Sequence, residues 1–166
     1  MMLSFQLETP QEFLPDAIPL MQAHALELKD SLSGELNLDM GHYIKSFTTG
    51  KLLLLTARDK GAMVGYQIIQ IAFHNRSNTT LIAEEEALFL LPKYRKGWNG
   101  VRLLKLGIEA AKTLGAEIFY VSSQECYPIK SLLLKVGFKK KSESYMLQLR
   151  KEPENIAEVE LRLENE

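Results

Sequence analysis

Between Leu52 and Leu91 three apolar runs follow one another with only turns between them. Leu52 to Arg58 is bounded by Asp59-Lys60-Gly61, Met63 to Phe73 is rich in Val, Ile and Tyr, and Thr80 to Leu91 follows the polar turn His74 to Asn78 and stops at Pro92. Parallel strands need a crossover of a dozen or more residues, so connections this short predict an antiparallel meander over 52 to 91. Beyond Pro92 the pattern changes. Val101, Leu104, Ile108 and Ala111 recur on one helical face, and Gly115 stands where a terminating glycine belongs. Ala116 to Val121 reads as a compact strand, and Tyr127-Pro128 opens a second helix carrying Ile129, Leu132, Leu133 and Val136 up to Gly137. The fold class is therefore α/β (α+β): a mixed sheet whose antiparallel meander is followed by a βαβα unit.

The flanks are read the same way. Phe5 and Leu7 alternate with Gln6 and Glu8 as a short strand, and Thr9-Pro10 opens a helix with Phe13, Ile18, Met21, Ala25 and Leu28 at helical spacing. Pro15 and Pro19 predict that this helix is broken in two. Asp39 to Phe47 reads as a second short helix, and Phe138 onward, with Tyr145, Leu147 and Leu149, as one or two closing strands. Residues 1–149 are thus expected to form one domain. The acidic segment 150–166 stands apart: Val159, Leu161 and Leu163 alternate as in a strand, whereas Ile156, Val159 and Leu163 share a helical face. It reads as an extra element, a frayed end or a partner contact, including pairing between two copies as a homodimer.

Composition narrows the function. Twenty basic and 21 acidic residues give a net charge of −1, so nothing asks for nucleic acid or an anionic membrane as partner. No apolar run approaches the length of a membrane span, and the first residues lack the pattern of a secretory leader. One cysteine excludes an intramolecular disulfide framework. A cytoplasmic location follows as the expectation. The three histidines have no metal-ligand spacing, so no metal is expected.

The loop after Pro92 carries the strongest chemical signal. A strand that feeds a helix through a glycine-bearing turn leaves N–H groups unpaired at the positive end of the helix dipole, which suits an anion. From Ala87 to Ile108 there is no acidic residue, while Lys93, Arg95, Lys96, Arg102 and Lys105 are basic. A phosphate or pyrophosphate ligand is one reading; a tight turn ringed by solvated lysines is the other. Upstream, Glu84-Glu85-Glu86 lies on the strand entering the loop. Alternation puts Glu84 and Glu86 on one face and Glu85 on the other. The run reads either as a solvated charged stretch or as a source of a general base.

The stretch Leu90-Leu91-Pro92-Lys93-Tyr94-Arg95-Lys96-Gly97-Trp98-Asn99-Gly100-Val101-Arg102-Leu103-Leu104 resembles the V-x-P-x-Y-R-x-x-G-x-G/A-x-x-L-L segment of the GNAT superfamily of acyl-CoA N-acyltransferases. The Gly137-Phe138 pair resembles the end of that family's closing helix, and the likeness in element order covers about residues 1 to 149. The resemblance implies a GNAT-like mixed sheet with helices on both faces and an N-acetyltransferase that moves an acetyl group from acetyl-CoA to an amine by direct attack. It implies that Arg95, Lys96, Gly97, Trp98, Asn99 and Gly100 hold the pyrophosphate, and that pantetheine pairs with the strand edge at Phe89 and Leu90. Glu86, and after it Glu84, would be the base, with a small-molecule or protein amine as acceptor.

The sequence also departs from the family pattern at three places. Trp98 stands at the usual first glycine, with Gly97 one residue early. Cys126 stands at the usual Asn near the start of the closing helix. Leu133 stands at the usual Tyr that protonates the leaving thiolate, so Tyr127, or Tyr120, takes that role or water does. The alternative to an enzyme is a catalytically inactive GNAT-like module that binds CoA or serves interaction.

Overall fold

The computed structural model describes residues 3–28, 38–125 and 128–144. Five strands form one sheet in the order β1 (Ser4–Leu7), β2 (Leu52–Asp59), β3 (Ala62–Phe73), β4 (Leu81–Leu90) and β5 (Ile118–Tyr120). The first three pairings are antiparallel and β4 pairs β5 in parallel. The meander turns where the sequence places its glycines: Lys60 (φ 51°) and Gly61 (φ 90°) are both left-handed and close the β2–β3 hairpin. Helices α1 (Pro10–Leu28) and α2 (Met40–Thr48) cover one face, and α3 (Asn99–Thr113) and α4 (Lys130–Val136) lie on the other. The mixed sheet with helices on both faces is the predicted architecture.

Each face has its own apolar core. Phe13, Leu14, Ala17 and Met21 of α1 pack on Leu54, Tyr66, Ile68 and Phe89. Leu103 and Ala111 of α3 pack on Leu55, Ile69, Ile71, Ala83 and Leu88. The α3 approach is close. Gly107 sits over Gln67 and Ile69, and a Cβ built on it would meet Gln67 Oε1 at 2.3 Å and Ile69 Cδ1 at 2.7 Å. Gln67 itself is fully buried, and neither its Oε1 nor its Nε2 has a hydrogen-bond partner among the described residues.

One element differs from the sequence reading. α1 is a single helix of 19 residues, with Pro15 and Pro19 inside it. The two prolines are four apart and exposed, on the side away from the buried Phe13, Leu14, Ala17 and Met21. The carbonyls they leave unbonded, those of Gln11 and Pro15, belong to exposed residues that water can reach, so the helix continues. Thr9 and Glu12 form the start, the Glu12 carboxylate accepting from both the N–H and the hydroxyl of Thr9 at 2.9 and 2.8 Å.

Residues 138–144 contain no strand; the closing strands through Tyr145, Leu147 and Leu149, and the 150–166 tail, lie outside the described residues. Among those described, no helix is long and apolar enough to cross a membrane, and no three metal-ligating side chains cluster.

The crowding at α3 gives a direct test. Gly107→Ala should cost about 1–3 kcal/mol, the usual cost of forcing an extra methyl into a packed core. Urea unfolding should recover part of that loss when Gln67→Ala is added, because the nearer of the two atoms the new methyl strikes is then gone while Ile69 Cδ1 remains.

Candidate active site

The site is built on β4, which has two different edges. Toward β3 it is paired from Leu81 to Leu90. Toward β5 it is paired at only three positions, Ile82↔Ile118, Ala83↔Phe119 and Glu84↔Tyr120. Beyond Glu84 the two parallel strands part. The wedge is continued by a cavity of about 380 Å³, floored by Leu88 and Leu90 and walled by Gly97, Gly100 and Val101 on one side and Ile129, Leu132 and Lys135 on the other. A second hollow of about 90 Å³, between Ala111 and Ile118 at the far end of α3, is too small for more than a few waters.

The backbone facing the wedge follows from alternation. Leu91 N–H donates to Val64 O of β3, so the groups of Leu91 and Phe89 point to β3, and those of Leu90 and Leu88 point to the open edge. This places Phe89 differently from expectation: its ring is buried in the α1 core, stacked on His24 at 4.8 Å. Leu90 does face the wedge, although Arg95 Nε donates to its carbonyl at 2.7 Å. Leu88 is the edge residue that spacing from the loop missed.

The loop closes one end of the cavity. After a 3₁₀ turn at Pro92–Tyr94, Gly97 takes φ +75°, and Trp98 precedes α3 with φ −105°. The glycine that stands one residue early therefore supplies the left-handed step, and Trp98 is spared it. No side chain caps α3 and its first turn holds no acid, so its first N–H groups are open to an anion. Lys96 and Trp98 are exposed, while Asn99 Nδ2 donates to Tyr94 O at 3.0 Å and pins the turn. Gly100 faces Leu132, whose Cδ2 would lie 3.4 Å from a Cβ there.

Arg95 is held by the protein. Both oxygens of Glu27, near the end of α1, accept from its Nη2 at 2.8 and 2.7 Å, and its guanidinium lies 5.4 Å from the Phe89 ring centre. Phe89 in turn stacks on His24, whose Nδ1 is 2.9 Å from Tyr66 Oη. Burial pushes the His24 pKa down to about 4, against the Glu27 carboxylate, which raises it, and with a smaller lowering from the Arg95 charge. This row of contacts ties the acidic end of α1 to the loop, and nothing in the local sequence signals it because Glu27 and Arg95 are 68 residues apart.

On the opposite side of β4 the acidic run divides by face. Ile68 pairs Ala87 and Ile69 pairs Glu85, which leaves Glu86 as the extra residue of a β-bulge. A bulge turns two successive side chains to one side: Ala87 packs in the α1–α2 core, and Glu86 accepts from Tyr43 of α2 at 2.5 Å and from Gln70 Nε2 at 2.8 Å. Burial and the Glu86 carboxylate together raise the Tyr43 pKa, so its hydroxyl stays protonated. Glu84, opposite Gln70, shares this side and is exposed. Tyr43 and Gln70 were not visible as site residues in the sequence, being joined to Glu86 only by the fold. Cys126 and Tyr127 lie outside the described residues. Leu133, on α4, is half-buried.

By sequence alone, no family model and no curated protein matches the chain. Solved structures do. A ribosomal-protein-alanine N-acetyltransferase from Brucella melitensis superposes over 90% of this chain and all of its own, with a TM-score of 0.69 at 14% identity. Glucosamine-6-phosphate N-acetyltransferase from Arabidopsis thaliana covers 90% and 100% with 0.67 at 10%. A predicted acetyltransferase with acetyl-CoA from Clostridium acetobutylicum covers 92% and 100% with 0.66 at 13%. The chain has the GNAT fold. The likeness is one of GNAT architecture and covers about nine-tenths of the chain.

The buried histidine makes stability sensitive to pH in a stated direction. Between about 6.5 and 4 the unfolded chain binds a proton at His24 that the folded chain excludes, so this residue lowers stability as pH falls through that window. In urea unfolding from pH 7.5 to 4.5, the stability of His24→Gln relative to the parent should therefore rise as pH falls. An unchanged difference across the range would place the proton elsewhere.

Proposed function

We propose that the chain is an N-acetyltransferase that transfers the acetyl group of acetyl-CoA to an amine by direct attack. One observation carries the reading: an uncapped helix N-terminus, entered through left-handed Gly97, opens at the mouth of a cavity whose floor is an unpaired strand edge. The first supplies donors for a pyrophosphate. The second supplies N–H and C=O partners at Leu88 and Leu90 for an extended amide chain. Trp98 and Lys96, exposed beside the loop, and Lys135, at the cavity wall, are the side chains available to the rest of the cofactor. Solved structures of the same fold with acetyl-CoA, or with the bisubstrate analogue CoA-S-monomethyl-acetylneamine, support a CoA donor.

In this mechanism Glu86 takes the proton the ammonium must lose before it can attack. It stands on the α1–α2 side, opposite the cofactor, where the acceptor approaches. Tyr43 and Gln70 fix the orientation of its carboxylate, and each oxygen keeps a lone pair for a water or an amine. Glu84 lies one strand repeat away and serves a bound water. The acceptor is an amine of a small molecule or a protein, as the named substrates of the similar structures support. The alternative, a CoA-binding module without catalysis, draws on Leu133 in place of a tyrosine and on the engagement of Arg95 with Glu27.

Thermal denaturation with acetyl-CoA tests the donor site first. At 100 times its dissociation constant the ligand should add about 2.7 kcal/mol to stability; no shift with acetyl-CoA or free CoA at millimolar concentration would remove the reading. Gly97→Asp should abolish the shift. Gly97→Asn, which tolerates the same left-handed backbone without the charge, should keep most of it.

Activity separates enzyme from module. Glu86→Gln should lower turnover at neutral pH by roughly 10²–10⁴, the usual contribution of a general base, with acetyl-CoA affinity little changed. Undiminished turnover would take Glu86 out of the mechanism.

A further inference from the structure

Glu85 is the one carboxylate of the acidic run that faces the cofactor side. Its place follows from the register. It lies directly opposite Ile69, a residue of the α3 core, and the residues before and after it in the same row are Ala83 and Leu88 of that core. The bulge carries Glu86 and Ala87 to the other side, so the row Ala83, Glu85, Leu88, Leu90 runs unbroken along the α3 face, and its last two members floor the cavity. Glu85 is also the first β4 residue beyond the last rung with β5, Glu84↔Tyr120. It therefore stands at the apex of the wedge, four rungs of the β3 ladder from Leu90 at the loop end, about 13 Å along the strand at roughly 3.3 Å per rung.

A chain anchored by its phosphates at Gly97 and laid along the free edge ends at that apex. Resting on the acetyl-CoA reading above, we propose that Glu85 is the catalytic acid that protonates the departing CoA sulfur. The amine nitrogen attacks the thioester carbon and forms the C–N bond. The C–S bond breaks with its electron pair going to sulfur. The Glu85 O–H bond then breaks and its proton joins sulfur, giving the thiol of free CoA. Glu85 is left as a carboxylate and regains a proton from solvent, while the nitrogen loses two protons in all, one before attack and one after the C–N bond has formed, each passing in turn through Glu86 to solvent. Acid and base thus act from opposite faces of one strand, and Leu133 needs no replacement on α4.

The surroundings keep Glu85 protonated. Its neighbours on that face are apolar or neutral: Ile69, Ala83, Leu88 and, diagonally, the unpartnered amide of Gln67. The charged residues of the helices on this side, Arg102, Lys105, Glu109 and Lys112 of α3 and Lys130 and Lys135 of α4, are exposed. Glu85 is half-buried, and that burial pushes its pKa up to about 8, close to where a general acid works best at neutral pH.

One test needs no acceptor. Binding of CoA and of dethio-CoA, which lacks the sulfur, is measured by calorimetry on the parent and on Glu85→Leu. The parent should prefer CoA by about 2- to 10-fold, the net effect of one hydrogen bond, and the variant should lose that preference. Equal preference in both proteins overturns the proposal. Failure of both ligands to bind the parent overturns the CoA reading itself, a different result. Glu85→Leu should melt at or above the parent's temperature at neutral pH, because an apolar side chain replaces a desolvated carboxyl. With a primary amine as acceptor, Glu85→Gln should lower kcat by roughly 10²–10⁴ and lose the fall in rate above pH 8. A donor thioester with a more acidic thiol should restore part of the rate. Glu85→Gln working at the parent's kcat would overturn the assignment and leave acetyl transfer standing.

Discussion

The site depends on one strand being held on one side and released on the other. β4 keeps its antiparallel ladder with β3 along its length, but for the bulge at Glu86, and gives up its parallel partner after three residues. An open edge of this kind is usually a liability, since unpaired N–H and C=O groups invite another chain. Here it is screened by α3 and α4, whose Gly100 and Leu132 meet closely, and what remains accessible is a slot rather than a surface. Everything else is arranged around that slot: the helix dipole aims at its mouth, apolar side chains floor it, and the acidic residues sit near its closed end.

The two layers of helices are not independent. Glu27, Arg95, Phe89, His24 and Tyr66 form a continuous set of contacts from the end of α1 to the loop before α3. The two faces of the sheet are thereby joined around the end of β4. A half-exposed ion pair such as Arg95–Glu27 adds under about 1 kcal/mol to stability, so its consequence is positional: it fixes where the loop stands relative to the end of α1. Both members of the pair line the cavity, so Glu27 balances there a positive charge that the sequence alone would have assigned to a phosphate.

What was legible in the sequence was local. The meander was readable because its turns are short and polar, and the loop because its glycines and basic residues are adjacent. Even the glycine shift at Gly97 and Trp98 was visible, although only the backbone shows that the early glycine carries the left-handed step. α1 was misread because a sequence shows that a proline is present but not which side of the helix it faces. The partners of Glu86 were hidden for a different reason: Tyr43 and Gln70 are 43 and 16 residues from it, and only packing brings them together. Simple alternation gave Glu85 its correct face, yet it could not say that this face borders a cavity.

The bulge at Glu86 separates two demands on β4. The strand has ten residues, and a nine-residue version lacking Glu86 would place every other side chain as it is now: Glu85 toward α3, Ala87 toward α1, Leu88 toward α3. Both cores would keep their residues and their alternation. The tenth residue is thus superfluous to the packing, and its presence is explained by the carboxylate it sets against Tyr43 and Gln70. In this strand a single insertion in length, rather than an exchange of one side chain for another, distinguishes a sheet that only folds from a sheet that also holds a carboxylate between Tyr43 and Gln70.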